Sequence, residues 1–166
     1  MLDWISRRCI YFRFSQSEVH ALCLYSGREF RDTALVALQI EGTKRIVLAV
    51  GSETGPTQDR ARSLHAPGVI IVRPFQHDRL VVDDFEVAEA LLRYVFSKIS
   101  PRIQRRPDVI MHPLHKFPSS LTDIEKRALH DLAASAGAAG TAVHEGPELT
   151  REQAMQLPVI PSAIRR

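Results

Sequence analysis

The sequence has little of what secreted, membrane-spanning or metal-binding proteins need. Its two cysteines, Cys9 and Cys23, lack the spacing of a metal-binding motif, and no run of about 18 apolar residues is present to form a membrane-spanning helix. No apolar N-terminal stretch precedes a small-residue cleavage site, so we do not expect secretion. We therefore expect a cytoplasmic protein whose thiols stay reduced and pack as small hydrophobic groups.

Motifs for common cofactors are absent too. There is no phosphate-binding P-loop, no glycine-rich dinucleotide fingerprint and no Gly-x-Ser-x-Gly elbow. The net charge of +3 permits contact with an anionic surface without requiring it, and no nucleic-acid motif accompanies it. We expect no cofactor and no nucleic-acid partner.

The composition is that of a globular domain, with 45% hydrophobic and 25% charged residues in a chain of 166. Three strand-like runs come first, at Cys9–Phe14, Val19–Tyr25 and Ala34–Ile40. Turn residues at Ser15–Ser17 and Ser26–Asp32 separate them, which predicts an antiparallel meander.

The rest of the chain alternates strand and helix patterns around a polar loop at Ser52–Pro67. The clearest helix is Asp84–Ser97, because its apolar residues recur every three or four positions. The other predicted elements are helices at Thr122–Ala136 and Leu149–Leu157 and strands at Arg45–Val50, Gly68–Arg73, Asp108–His112 and Gly140–Val143. This order predicts an α/β fold with a mixed sheet, three antiparallel strands followed by strand–helix units. We expect an irregular tail over residues 159–166.

Several segments are similar to one known family. Ile71–Phe85 (IVRPFQHDRLVVDDF) and the helix pattern Glu86–Phe96 resemble an Ile-Arg-Pro strand, turn and helix of the bacterial MreB proteins. Further matches follow the family's order, at Leu35–Leu38, Leu48–Gly51, Thr122–Leu129, Ala134–Ala138 and Leu157–Val159. The resemblance implies a truncated, ribonuclease H-like half of an actin-like fold. Residues 1–166 would form a single N-terminal domain, the first lobe of the inner subdomain with the small outer subdomain inserted into it.

The resemblance weakens where the family binds phosphate. The family's first strand turn carries Asp-x-Gly-Thr, whereas the corresponding stretch Ile10–Val19 has neither glycine nor aspartate. Glycine lets a backbone approach a phosphate closely, and Gln16 and Glu18 are bulky by comparison. The family's second phosphate loop and adenosine-binding half lie outside the sequence. We therefore expect no ATPase activity from this chain alone.

Glu125 matches the position of the family's water-activating glutamate. It is a candidate remnant of a catalytic residue that orients or activates water. The sequence Thr122-x-x-Glu125 is also a capping box, in which the glutamate bonds an amide at the start of its own helix. Without a phosphate site we favour the capping box.

Two other groups invite a functional interpretation. His112 and His115 form a His-x-x-His pair, but no third metal ligand is evident and Pro113 disfavours helical pairing, so we interpret them as solvent-facing loop histidines. The basic loop Lys98–Pro107 could meet phosphates or acidic partners, and we interpret it as a solvated loop; its cations are Lys98, Arg102, Arg105 and Arg106.

The N-terminus combines apolar side chains with cations. Leu2, Trp4 and Ile5 could enter a bilayer interface while Arg7 and Arg8 meet lipid phosphates. The alternative is an ordinary first turn that leads into a strand. The first hypothesis would place the protein at the inner face of the cell membrane.

Taken together, the resemblance implies a degenerate MreB-like protein connected with the bacterial cell-shape cytoskeleton. It would bind a full-length actin-like filament protein instead of hydrolysing nucleotide. The alternatives are one half of a split actin-like ATPase that a second chain completes, and a gene product without a role.

Overall fold

A computed structural model describes residues 9–54, 66–99, 106–114 and 119–162 of the chain. These residues form a six-stranded sheet and a three-stranded sheet. The strands are β1 (Cys9–Phe14), β2 (Glu18–Cys23), β3 (Glu29–Thr33), β4 (Val36–Glu41), β5 (Lys44–Val50), β6 (Val69–Val72), β7 (Asp108–Pro113), β8 (Gly140–Val143) and β9 (Ile160–Pro161). The helices are α1 (Phe85–Ile99), α2 (Asp123–Ala136) and α3 (Arg151–Met155).

The larger sheet is mixed, in the order β3-β2-β1-β7-β8-β9. β1 pairs in parallel with β7, and β7 with β8, whereas β2, β3 and β9 are antiparallel to their neighbours. Every residue of β7 is buried, as expected of a central parallel strand that is covered on both faces. The predicted mixed sheet is confirmed.

The main core lies between this sheet and helices α1 and α2. Alternate residues of β1 and β7 point into it, among them Phe12 and Met111, which are fully buried. Helix α1 contributes the predicted apolar face, with Leu91, Leu92 and Val95 fully buried. Each such side chain stabilises the fold by about 1.5–3 kcal/mol relative to full exposure.

The smaller sheet has the order β5-β4-β6, and all its pairs are antiparallel. Its inner residues, such as Leu38, join the same core. Arg45 of β5 also contacts the start of α1, where its Nη1 lies 3.2 Å from Oδ1 of Asp84. Asp84 in turn accepts a hydrogen bond from the amide of Val87 at 3.1 Å, so it caps α1 and anchors β5 to it.

Gly51, which ends the matched segment Leu48–Gly51, has a structural reason to be glycine. Its φ is +62°, and a Cβ there would collide with the carboxylate of Asp32. That carboxylate accepts a hydrogen bond from the amide of Ser52 at 2.5 Å, which joins the end of β3 to the short 3-10 turn Gly51–Thr54.

The predicted meander is wrong in one strand. Its third strand is β3 (Glu29–Thr33), which we assigned largely to a turn, and the predicted strand Ala34–Ile40 corresponds to β4 in the smaller sheet. β3 has alternating exposure because it lies at the edge of the sheet, so its sequence is mostly polar and does not resemble a strand.

The helix predictions are confirmed to within two or three residues. Gly137 ends α2 in the left-handed conformation, with φ +111°, and its amide donates to the carbonyl of Ala134. The tail departs from the prediction, because Ile160–Pro161 pairs with β8 as a short antiparallel strand.

Candidate functional site

The candidate site lies at the carboxyl ends of the parallel strands β1, β7 and β8. In open α/β sheets this edge is where ligands bind, because the strand ends and the following loops leave a crevice there. Three segments of the chain follow these strand ends. They are the turn after β1, the start of α2 after β7, and the segment that begins at His144 after β8.

The turn after β1 satisfies its own backbone groups. The Ser15 amide donates to the Glu18 carbonyl at 2.8 Å, and the Ser15 hydroxyl accepts from the amides of Ser17 at 3.3 Å and Glu18 at 3.1 Å. None of the described non-glycine residues has a positive φ, so this turn lacks the left-handed residue that helps to form an anion-binding nest. Its amides at Ser17 and Glu18 are thus engaged by the chain itself.

Glu125 lies in the predicted capping box at the start of α2. Its Oε2 accepts from the amide of Thr122 at 2.8 Å, and its own amide donates to the Thr122 hydroxyl at 3.3 Å. This geometry satisfies two amides that the helix cannot satisfy itself.

A second carboxylate at this edge, Glu145, was not found from the sequence. It accepts from the amide of Leu121 at 2.8 Å, and Lys126 lies 3.0 Å from it. The Leu121 hydrogen bond and then the Lys126 charge hold the pKa of Glu145 below its ordinary value. Glu145 therefore ties the segment after β8 to the start of α2.

The other face of the larger sheet carries a buried polar cluster. The Tyr11 hydroxyl lies 2.6 Å from Nδ1 of His112, and the opposite ring nitrogen of His112 lies 3.0 Å from the carbonyl oxygen of Gly146. The prediction of a solvent-facing His112 is wrong, because β7 is central and the histidine is 0% exposed. Burial lowers the pKa of His112, which favours the neutral ring.

Arg13 extends this cluster towards the edge of the sheet. Its guanidinium packs over the Tyr11 ring, 5.1 Å from the centroid, and forms an ion pair with Glu148 and a hydrogen bond with His20. His20 lies 3.2 Å from Glu29 on β3. Tyr11 and Arg13 share a face because they are two residues apart on a strand. This shared face could have been predicted from the alternation of side chains along β1.

Two cations of the predicted basic loop, Lys98 and Arg106, lie in the described residues, and both have local contacts. Lys98 lies in the last turn of α1, 5.1 Å from the ring centroid of Tyr94, and not in a loop as we predicted. Arg106 donates to the carbonyls of Gly137 at 3.1 Å and Ala134 at 3.2 Å, so it contacts the C-terminal end of α2.

Several predicted site residues fall outside the described ranges: Leu2, Trp4, Ile5, Arg7, Arg8, Arg102, Arg105 and His115. Within those ranges, no three or more His, Cys, Asp or Glu side chains are grouped to hold a metal ion. Nor is any helix there long and apolar enough to cross a bilayer.

Both cysteines are free thiols. Burial, and secondarily the charge of Asp108, raise the pKa of Cys9 to about 12. The reactive thiolate is therefore rare at neutral pH, which fits a packing role.

The chain is similar to a known protein family over most of its length. The family model described as MreB/Mbl protein matches residues 24–151. The cell shape-determining protein Mbl of Bacillus cereus (strain ATCC 10987 / NRS 248) is 29% identical over 107 residues, which cover 62% of this chain and 28% of the relative. Mbl of Bacillus subtilis (strain 168) is 27% identical over 125 residues, covering 74% and 34%. The chain thus spans about a third of the length of these curated relatives.

Two solved structures show the same fold. The crystal structure of MreB5 of Spiroplasma citri bound to ADP has a TM-score of 0.61 and 21% identity, and the match covers 85% of this chain and 39% of that one. The MamK double helical filament has a TM-score of 0.57 and 18% identity, covering 81% and 40%. The predicted actin-like fold is confirmed.

Proposed function

We propose that this chain, which belongs to the MreB/Mbl family of cell shape-determining proteins, acts by binding an actin-like filament protein and not by hydrolysing nucleotide. The family match supports a role in the cell-shape cytoskeleton. The hydrogen bonding of the turn after β1 supports the absence of nucleotide hydrolysis.

The two sheets correspond, in this proposal, to two parts of an actin-like first half. The six-stranded sheet with α1 and α2 is the first lobe of the inner subdomain, and the three-stranded sheet is the inserted small outer subdomain. The shared core and the Arg45–Asp84 contact support the proposal that both sheets belong to one N-terminal domain, which would span residues 1–166.

The proposed loss of nucleotide binding rests mainly on the hydrogen bonds of Ser15. A phosphate-binding turn needs amides that point outward and are free to donate. Here the Ser15 hydroxyl accepts from the amides of Ser17 and Glu18, and the Glu18 side chain adds a negative charge beside them. A nucleotide would have to displace these bonds and approach a carboxylate.

Glu125 supports the same conclusion. Both its amide and its carboxylate are committed to the Thr122 capping box, which gives the residue a structural role that needs no phosphate. In this proposal Glu125 is retained for the stability of α2.

The filament partner is proposed from the family and the fold. The solved MamK neighbour is a double helical filament, and this chain shares that fold over 81% of its length. The protein would work in the cytoplasm, at the inner face of the cell membrane, beside a full-length filament of its own family.

The experiment is co-sedimentation of the purified chain with polymerised full-length MreB-family protein from the same cell. We expect saturable pelleting with the filament and none by the chain alone. Ser15→Ala is the matched control. It alters the turn after β1, to which the proposal gives no part in filament binding, so the variant should pellet equally. No pelleting with any filament concentration would contradict the proposal.

The coverage of the relatives favours one second candidate. Because the matches cover only 28% and 34% of the two Mbl proteins, a second chain could supply the rest and form a split ATPase. A neighbouring reading frame that encodes the second actin half, and ATP hydrolysis only when both purified chains are mixed, would establish that candidate instead.

A further inference from the structure

The segment from His144 to Leu149 is held on the sheet by a cluster of ring side chains. The amide of Leu149 donates to the Tyr11 hydroxyl at 3.1 Å, and the carbonyl of Gly146 lies 3.0 Å from His112 Nε2. His144 packs edge-on against His112, with ring centroids 4.6 Å apart, and its Nε2 lies 2.9 Å from the Pro147 carbonyl. Gly146 makes this path possible, because its φ is +117°.

The partners of His112 define its proton. A carbonyl oxygen only accepts, so Nε2 carries hydrogen and donates to Gly146. Nδ1 therefore has a free lone pair, and the Tyr11 hydroxyl donates to it. Because the ring is 0% exposed, a second proton would give it a positive charge that no water could solvate.

We propose that Tyr11, His112 and His144 form a pH-sensitive latch that holds the His144–Leu149 segment against the sheet at neutral pH and releases it on acidification. Protonation of Nδ1 places a donor against a hydroxyl that already donates to it. The Tyr11 hydrogen must then turn away, and the buried imidazolium is desolvated. Opening of the segment gives the charged ring access to water.

The charged groups around His112 do not cancel this effect. Arg13 on β1 and His144 after β8 both disfavour a positive ring, whereas Glu148, in the connection to α3, favours it. Glu148 is already paired with Arg13 and its side chain is 56% exposed, so its attraction is screened. Burial is the largest influence and lowers the pKa of His112, although the hydrogen bond to the Gly146 carbonyl acts in the opposite direction.

The sign of the linkage follows. A histidine with a depressed pKa in the closed state is protonated mainly in the open state, so closure is favoured above the ordinary value of 6.5 and weakens as pH falls below it. Between about pH 7.5 and about pH 5, the open population can rise by up to about thirtyfold.

The test is amide hydrogen exchange by NMR on the full chain, expressed as protection factors so that the intrinsic pH dependence of exchange is removed. We expect protection of the Leu149 amide to fall by about tenfold or more between about pH 7.5 and about pH 5, while amides within β7 stay protected. Equal Leu149 protection at both pH values would overturn the proposal.

Two variants assign the effect to the cluster. His112→Gln keeps a donor and an acceptor but cannot titrate in this range, so Leu149 protection should lose its pH dependence. If that variant does not fold, Tyr11→Phe replaces it, because loss of the hydroxyl should leave Leu149 poorly protected at both pH values. His130→Gln, a half-buried histidine of α2, is the control and should retain the wild-type pH dependence. Dependence that survives in the folded His112→Gln or Tyr11→Phe protein, or disappears in His130→Gln, would contradict the latch.

Discussion

The hydroxyl oxygen of Ser15 lies 3.1 Å from the amide nitrogen of Glu18, across the turn that joins β1 to β2. Because Ser15 also accepts from Ser17, Ser15→Ala removes the acceptor of two amides. We expect a loss of about 0.5–1 kcal/mol in the free energy of unfolding, at the low end because water can replace the hydroxyl at this partly exposed turn. Urea unfolding measures it. Ser15→Thr keeps the hydroxyl, so its stability should be closer to that of the wild type. Equal stability of Ser15→Ala and Ser15→Thr would show that the hydroxyl is not the acceptor that closes the turn.

Variants of the capping box at the start of α2 can distinguish a structural role of Glu125 from a catalytic one. Thr122→Ala should lower the free energy of unfolding by about 1 kcal/mol, because the Glu125 amide loses its acceptor. Glu125→Gln should be nearly silent, since glutamine also completes a capping box. Thermal unfolding of both variants checks this. A hydrolysis rate that Glu125→Gln abolishes would instead assign the residue to catalysis.

Acid should weaken the link between β8 and α2. The pKa of Glu145 is held below its ordinary value of 4.5 by the Leu121 amide and by Lys126. A carboxyl with a depressed folded pKa stabilises the fold above its unfolded value, and the contribution disappears as pH falls through the folded pKa. Glu145→Gln should therefore be less stable than wild type at neutral pH, and the difference should narrow below about pH 4.

Urea midpoints across this range measure the Glu145 effect, with exposed Glu152→Gln on α3 as the matched control. A stability difference for Glu145→Gln that is constant down to acid pH would show that its charge does not matter.

The N-terminal residues, which lie outside the described ranges, remain a membrane hypothesis. We expect weak sedimentation with anionic vesicles that high salt reduces, because Arg7 and Arg8 would each add about 1 kcal/mol beside anionic lipid. Trp4→Glu should lower it further, since partial burial of the indole would be lost. Equal sedimentation of wild type and variant, with circular dichroism showing both folded, would remove Trp4 from any membrane contact.

Local patterns predicted the helices well because their causes are local. The apolar spacing of α1, the Thr122–Glu125 box and Gly137 all act within a few residues. The strands were harder to place. Nothing local says that Val36–Glu41 pairs with Val69–Val72 and not with the meander, because pairing depends on the whole fold.

The buried cluster was missed for the same reason. Tyr11 and His112 are 101 positions apart, and only the parallel pairing of β1 with β7 brings them together. The alternation of Tyr11 and Arg13 was visible in the sequence, but the residues that face them come from β2, β7 and the segment before α3.

We propose that this MreB-family chain has lost nucleotide binding while it retains the fold. Calorimetric titration of the purified, folded chain with ATP and magnesium tests it most directly. We predict no saturable heat at submillimolar nucleotide, because the Ser17 and Glu18 amides are already engaged by Ser15. Saturable binding with a dissociation constant near one micromolar, which corresponds to about −8 kcal/mol, would contradict the account.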